Sequence, residues 1–344
     1  MKTYKFLAVA LVATGFFSAC TNEEVVQPVN VNAPAEISFR LQGGSPETRT
    51  AATTLTDVDA FVVYGTDNVA AASNIFEGLT VARQLSSNSF EYSPKKYYSE
   101  GAASAQFVAF SPVTANITNP ATTSLLTTAS FDYTVVKPDN TGNITQEDLL
   151  IAGTGVSSIS STPVDLQFKH ALSRIFVKAS NTLSSDVIIT GLSLRNLYST
   201  GKITGTPGAA WTWTWATSGA KTDYEYELAT TGVAVKAGLA ASTLVTSMEQ
   251  GMMVLPQSTV NVPPTNPATD PDFDPTTDFA LEVTYDVGNF TGKKAYILLT
   301  DGYTFAAGSQ YAINIAFSGT ALNLIEINFT INVDTFGSPI VELP

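Results

Sequence analysis

The sequence predicts an all-β protein made of two β-sandwich domains in tandem. Three observations predict it. Short stretches alternate apolar and polar side chains, the period of a strand with one face in a core. Gly, Pro, Asn and Asp gather between those stretches, where the chain must turn. No long amphipathic helical pattern interrupts them, so strands and turns have to build the whole core.

The N-terminus stands apart from this pattern. Lys2 and Lys5 precede an apolar run over 6–17, and Phe17-Ser18-Ala19-Cys20 follows. A basic start, a short apolar centre and small residues before a cut make residues 1–19 a signal peptide. The run is too short to cross a bilayer as a helix, which takes about 20 residues. Residues 20–34 are polar and Pro-containing, with Glu23 and Glu24 near the start, and read as a tether.

The strands begin at Ile37, Phe39 and Leu41, which alternate with Glu36, Ser38 and Arg40. Further strands are expected over 58–64, 106–110, 130–136, 175–178, 187–194, 279–286, 294–299 and 311–317. The cleanest alternation comes last: Ile325, Ile327, Phe329, Ile331 and Val333 against Glu326, Asn328, Thr330 and Asn332. Turn residues punctuate these at Gly43-Gly44, Pro138-Asp139-Asn140, Pro207-Gly208 and Gly288-Asn289. Residues 168–180 alternate at Phe168, His170 and Leu172, then slip in phase to Ile175 and Val177, as a bulged strand would. A Ser-rich, Gly-containing stretch over 153–162 precedes a new apolar strand, which places a domain boundary between 165 and 166. The expected domains are therefore 35–165 and 166–344.

Composition excludes several function classes. The net charge is −13, so nucleic acid and anionic headgroups are repelled and no nucleic-acid partner is expected. Cys20 is the only cysteine, so the domains have neither disulfides nor Cys metal sites and each core must hold itself. His170 is the only histidine; it sits in an alternating strand and reads as structural. With that inventory, His/Cys zinc sites and Cys/His nucleophiles are absent, and no phosphate or dinucleotide fingerprint occurs. No enzyme activity, catalytic residue, metal or cofactor is expected.

Two clusters remain. Asp270, Asp272, Asp274 and Asp278 lie in a Pro-rich run, where alternating oxygens suit calcium; Pro271 and Pro275 stiffen the loop and favour a solvated surface. Trp211, Trp213 and Trp215 alternate with threonines, and Tyr224 and Tyr226 follow at the same period. A hairpin with its aromatics paired across strands is the expected structure. Exposed, the Trp row would be a ligand face for sugar or a host partner.

Two resemblances add to this reading. Residues 17–20 are similar to the lipobox of bacterial lipoproteins, with Phe17 where leucine is usual. That implies a diacylglycerol on Cys20 and an outer-membrane anchor, and the glutamates after it resemble an export signal for the outer face. Several segments together resemble the fimbrillin-like family of Bacteroidales, the precursors of type V pili. They are Glu36-Ile-Ser-Phe-Arg-Leu with Glu47-Thr-Arg-Thr50, Tyr92-Ser-Pro-Lys-Lys-Tyr-Tyr98, Phe107-Val-Ala-Phe-Ser-Pro112, Asp148-Leu-Leu-Ile-Ala152, Phe168-Lys-His-Ala-Leu-Ser-Arg-Ile175, Met253-Val-Leu-Pro-Gln257 and Phe305-Ala-Ala-Gly-Ser-Gln-Tyr311.

The family resemblance implies transthyretin-like sandwiches and donor-strand exchange. Proteolysis after Arg49 would free the strand carrying Ile37, Phe39 and Leu41, and a strand from another subunit would replace it. The donor would be the segment with Ile325, Ile327, Phe329, Ile331 and Val333, with or without the tail over 334–344. Gly337, Pro339 and Pro344 interrupt that tail, which leaves a stalk, tip or anchor role open. The implied partners are other fimbrial subunits, in a homo- or hetero-polymer, and a host or bacterial surface ligand. The alternative is a lipid-anchored surface protein that binds glycan or a host ligand and never polymerises.

Overall fold

Alternating strands dominate the computed structural model of the chain. It describes residues 34–42, 58–69, 74–84, 89–113, 115–121, 127–137, 146–207, 211–226, 228, 230–245, 251–258, 274, 276–297, 304–319 and 326–335. Cys20, Arg49, Asp270, Asp272 and Ile325 lie outside them. Among the described residues every element is a strand.

The first group of strands is β1 (Phe39–Leu41), β2 (Ala60–Asp67), β3 (Phe76–Arg83), β4 (Phe90–Glu91), β5 (Ala105–Ser111), β6 (Ile117–Ala121), β7 (Ala129–Thr134) and β8 (Leu150–Val156). Next come β9 (Val164–Leu166), β10 (Lys169–His170), β11 (Ser173–Asn181), β12 (Val187–Thr206), β13 (Thr212–Glu225), β14 (Val233–Val235) and β15 (Leu239–Leu244). The last are β16 (Met252–Val254), β17 (Gln257–Ser258), β18 (Ala280–Val287), β19 (Phe290–Ile297), β20 (Thr304–Phe305), β21 (Ser309–Ser318) and β22 (Glu326–Thr335).

They pair into three larger sheets. The first has the order β10-β8-β5-β2-β3-β4. The second, β19-β18-β12-β7-β6, also takes β13 and β14 on β12. The third is β15-β11-β21-β22, with β16 on β11. Two-stranded pairs β1-β9 and β17-β20 complete the set.

The interior holds two apolar clusters, and one sheet separates them. Phe107 and Ala109 of β5 enter the first cluster with Phe61, Phe76 and Phe39. Val108 and Phe110 of the same strand enter the second with Phe131, Ile175 and Ile313. β8 divides likewise, with Leu150 and Ala152 in the first cluster and Ile151 in the second. A strand covered on both faces must be apolar at consecutive positions, which explains the unbroken Phe107-Val-Ala-Phe110. The hairpin β6–β7 also joins the second sheet, because β7 pairs with β12 over Ala129–Thr134.

The structure changes two of the sequence expectations. The phase slip between residues 168 and 175 is not a bulge. β10 pairs with β8 in the first sheet, whereas β11 pairs in parallel with β21 in the third. The slip marks the chain leaving one sheet for another. Likewise, the Trp and Tyr rows do not face each other across a hairpin. They lie along the one strand β13, or just beyond its ends, and its partner is β12.

Candidate functional site

The first strand lies over the first core as its cover. Ile37 and Phe39 are fully or almost fully buried, Leu41 is half-buried, and Arg40 is exposed, as the alternation predicts. Phe39 stands in a nest of rings. Its centroid is 5.4 Å from Phe76, 5.6 Å from Phe107, 5.9 Å from Phe61 and 6.1 Å from Tyr92. The Phe76, Phe107 and Phe61 contacts are edge-on, the arrangement ring quadrupoles favour. Gly65 makes the nest possible: a Cβ there would come within 2.5 Å of the Phe107 ring and 3.3 Å of Phe76.

Both edges of this strand are held by backbone. On one side Ile37 donates to Lys96 O at 3.0 Å, and Tyr98 donates to Ala35 O at 3.1 Å. On the other, Val164 donates to Ser38 O at 2.7 Å, and Gln42 donates to Leu166 O at 3.0 Å. The second edge is the parallel pairing with β9, in the register Phe39 with Val164 and Leu41 with Leu166. These bonds are indifferent to sequence, so any extended segment of suitable side chains could make them.

Polar side chains then fix the register. The Tyr92 hydroxyl donates to Ile37 O. Lys95 Nζ pairs with Glu36 at 2.9 Å and with Glu91 at 2.7 Å. The Arg40 guanidinium forks onto Asp165, with Nη2 to Oδ2 at 2.9 Å. That hydrogen bond and charge hold the Asp165 carboxyl below the usual aspartate range. Burial pushes the Tyr92 hydroxyl up and Tyr98 up to about 12, so both stay protonated across the physiological range and Tyr92 keeps its donor.

The last strand is arranged otherwise. β22 pairs antiparallel with β21 along its whole length, from Ser309 opposite Thr335 to Ser318 opposite Glu326, and it ends its sheet among the described residues. Ile327 and Ile331 pack partly against the second core, and Val333 is 56% exposed.

The tryptophans turn inward. Trp211 is buried, stacks on Trp213 at 5.3 Å, and donates from Nε1 to Gln106 Oε1 at 3.3 Å. Trp213 and Trp215 are half-buried, the latter edge-on to Tyr133 at 6.1 Å. His170 Nδ1 lies 2.8 Å from Asp148 Oδ2, a structural pairing at the junction of β8 and β10. Asp274 and Asp278 close a tight turn on each other: Asp274 N donates to Asp278 Oδ2 at 3.0 Å, and Asp278 N donates to Asp274 O at 2.9 Å. Among the described residues no group of His, Cys, Asp or Glu is arranged to hold a metal ion.

Tyr92, Lys95, Asp165 and Gly65 were not singled out as site residues by sequence reasoning. The run Tyr92-Ser-Pro-Lys-Lys-Tyr-Tyr98, with its lysines between tyrosines, was the available signal, since it supplies one wall of the groove.

Comparison with known proteins gives one decisive match. A family model described as fimbrillin-like matches residues 48–333, most of the chain. No curated protein sequence matches it. Among solved structures, a candidate cell adhesion protein from Bacteroides uniformis is 16% identical, covering 86% of this chain and 98% of that one, with a TM-score of 0.47. The fimbrial anchor protein Mfa2 from Porphyromonas gingivalis is 13% identical over 89% of this chain and 100% of that one, with a TM-score of 0.39. The tip fimbrial protein Mfa3 from the same organism, truncated at its C-terminus, is 11% identical over 87% and 99%, with a TM-score of 0.42.

Proposed function

The chain belongs to the fimbrillin-like family, and on that premise we propose that it is a subunit of a cell-surface fimbria that assembles by strand exchange. Membership supports a fimbrial or adhesion subunit. In the proposed pathway Cys20 carries the lipid that tethers the precursor to the outer membrane. Cleavage after Arg49 separates residues 20–49, tether and lipid included, from the body, and a strand of another subunit takes the place of Ile37, Phe39 and Leu41. The tandem-domain division at residues 165 and 166 belongs to the same proposal. One observation carries it: the first strand is a separate apolar plug, paired on both edges and seated on aromatic rings. Such a segment can leave as a unit and be replaced in kind.

Limited trypsin treatment of the folded chain, N-terminal sequencing and electron microscopy test this reading. A new N-terminus at Thr50, loss of the first strand and growth of rods are expected. A chain cut at that point that remains monomeric over days would overturn polymerisation. The partly exposed Trp213 and Trp215 would then make the glycan- or host-binding alternative the reading to pursue.

A further inference from the structure

β12 is the spine of the second sheet, and one of its edges has a gap. β13 pairs along that edge as far as Glu225, opposite Ser193, and β14 resumes at Val233, opposite Ile189. Between them Thr190 and Gly191 have no ladder partner on that edge among the described residues. On the other edge the register with β18 slips: Ile189 faces Tyr285 and Gly191 faces Thr284, which leaves Thr190 as an extra residue. A bulge of this kind sets two residues against one and re-aims a side chain. Ile189 and Leu192 both enter the second core, so Thr190 and Gly191 both lie on the outer face.

A cleft of about 360 Å³ opens over this gap, within the range of small-molecule sites. Its lining includes Thr190 and Ser193 of β12, Glu282 and Thr284 of β18, Glu225 at the end of β13, and Leu228 beyond it. Two features set it apart from a surface dent. Ser193 is only 9% exposed, yet its hydroxyl has no hydrogen-bond partner among the described residues. Buried hydroxyls in folded proteins nearly always have one. Turning a single torsion moves this hydroxyl between staggered positions, so a ligand in the cleft can supply the missing partner. Glu282 is the second feature, a buried carboxylate held by two cations. Lys294 Nζ donates to its Oε1 at 2.6 Å, and Arg195 Nη1 donates to its Oε2 at 2.7 Å. Burial pushes its carboxyl up, but the two cations outweigh burial and hold it below the usual glutamate range. Each of its oxygens keeps a lone pair for a further donor.

Charge sorts the ligand. Arg195 and Lys294 beside the cleft repel a cation, and Glu225 with Glu282 repels an anion. A neutral ligand remains. Serine and threonine hydroxyls both donate and accept, and the glutamates accept at two oxygens each. A ring bearing hydroxyls on adjacent carbons matches both, and half-buried Leu228 offers an apolar wall to its C–H groups. We infer that the cleft on the outer face of the second sheet is a binding site for a neutral sugar ring, held by Glu225, Glu282 and Ser193. The site does not depend on strand exchange, and it lies at the opposite end of β13 from Trp213 and Trp215.

Calorimetric titration of the full chain carrying Cys20→Ser tests this, with galactose, glucose, mannose and fucose as probes, each free and as the end residue of an oligosaccharide. At least one is expected to bind with a Kd of about 1 mM or tighter. Glu225→Gln, at an exposed position, weakens that binding by about tenfold. Ser193→Ala weakens it by roughly two- to tenfold and leaves the Tm of the unliganded chain unchanged, since the hydroxyl holds nothing there. Thr190→Tyr, at an exposed strand position that suits an aromatic residue, fills the cleft and abolishes binding. An amino sugar and a uronic acid related to the bound sugar bind more weakly, by about fivefold or more. Binding of the free sugar assigns the site to a soluble saccharide, and binding only at the end of a chain assigns it to a surface glycan; both support the cleft. Failure of every probe to bind, binding untouched by Glu225→Gln and Thr190→Tyr, or tighter binding of a charged relative overturns it.

Discussion

β1 and β22 are alike in pattern and opposite in setting. Both alternate Ile and Phe with polar residues, so periodicity assigns each a buried face and an exposed one. Yet β1 is held on both edges and roofs a nest of aromatic rings, whereas β22 pairs, among the described residues, with β21 alone and leaves Val333 56% exposed. Alternation therefore says that a strand has an inner face. The number of paired edges and the depth of the floor beneath decide whether it is a plug or an outer leaf. The plug has two ladders and a floor of rings to hold it; the leaf has one ladder among the described residues.

Truncation at the centre of each strand should separate the two settings most. Phe39→Ala removes a ring from the middle of the first core and is expected to cost about 3–5 kcal/mol in chemical denaturation. Val333→Ala, at a half-solvated position, should stay within about 0.5 kcal/mol. Equal losses at the two sites would break the distinction between plug and leaf.

The Trp row extends the contrast to an interior that looks like a surface in sequence. Trp211, Trp213 and Trp215 alternate with threonines as a ligand face would, yet glycines on neighbouring strands receive the rings. A Cβ on Gly205 would come within 2.3 Å of Trp213, and one on Gly153 within 2.4 Å of Trp211. Gly205→Ala is therefore expected to destabilise by about 1–3 kcal/mol through overpacking. A change in tryptophan fluorescence should accompany it. An unchanged spectrum with full stability would place Trp213 in solvent and reopen the ligand-face reading.

These cases mark what the sequence could and could not tell. The strands β1 and β22 were legible because one face of each meets a core and the other meets water. β5 and β8 were less so, since a strand between two cores loses its alternation. The crossing between residues 170 and 173 looked like a bulge because a change of sheet and a bulge both shift the phase. The polar contacts of the groove were not legible at all. Tyr92 meets Ile37 from 55 positions away, and Asp165 meets Arg40 from 125. No local pattern encodes a partner at that separation. Of β12, which spans Val187–Thr206, only the first part was expected, because Arg195 and Asn196 break the apolar run. Asn196 takes a φ of 59° there, where the pairing with β13 shifts register.

Within the plug, the Tyr92 hydroxyl should come next in size. Tyr92→Phe keeps the ring against Phe39 and removes the donor to Ile37 O, a loss of about 0.5–1.5 kcal/mol. After cleavage in the 43–50 segment, the first strand should dissociate faster by up to about tenfold, read as release of the labelled strand. A rate unchanged by the substitution would mean that the rings and the backbone alone hold the plug.

The smallest effect is also the one with a pH signature. Arg40 and Asp165 pair at an exposed edge, so at neutral pH and ordinary salt Asp165→Asn should change stability little. The sign of its pH dependence is nevertheless fixed. Arg40 holds the folded carboxyl below its unfolded value, so the folded state binds that proton more weakly. The stabilisation is complete above the ordinary aspartate value of about 4 and is lost as pH falls through the lowered folded value. Retention of the cleaved first strand should therefore weaken in acid in the native sequence. Asp165→Asn should lack that component of the decline, leaving a shallower acid limb. If the native sequence and Asp165→Asn lose the strand in parallel as the pH falls, the Arg40–Asp165 pair contributes nothing to its retention.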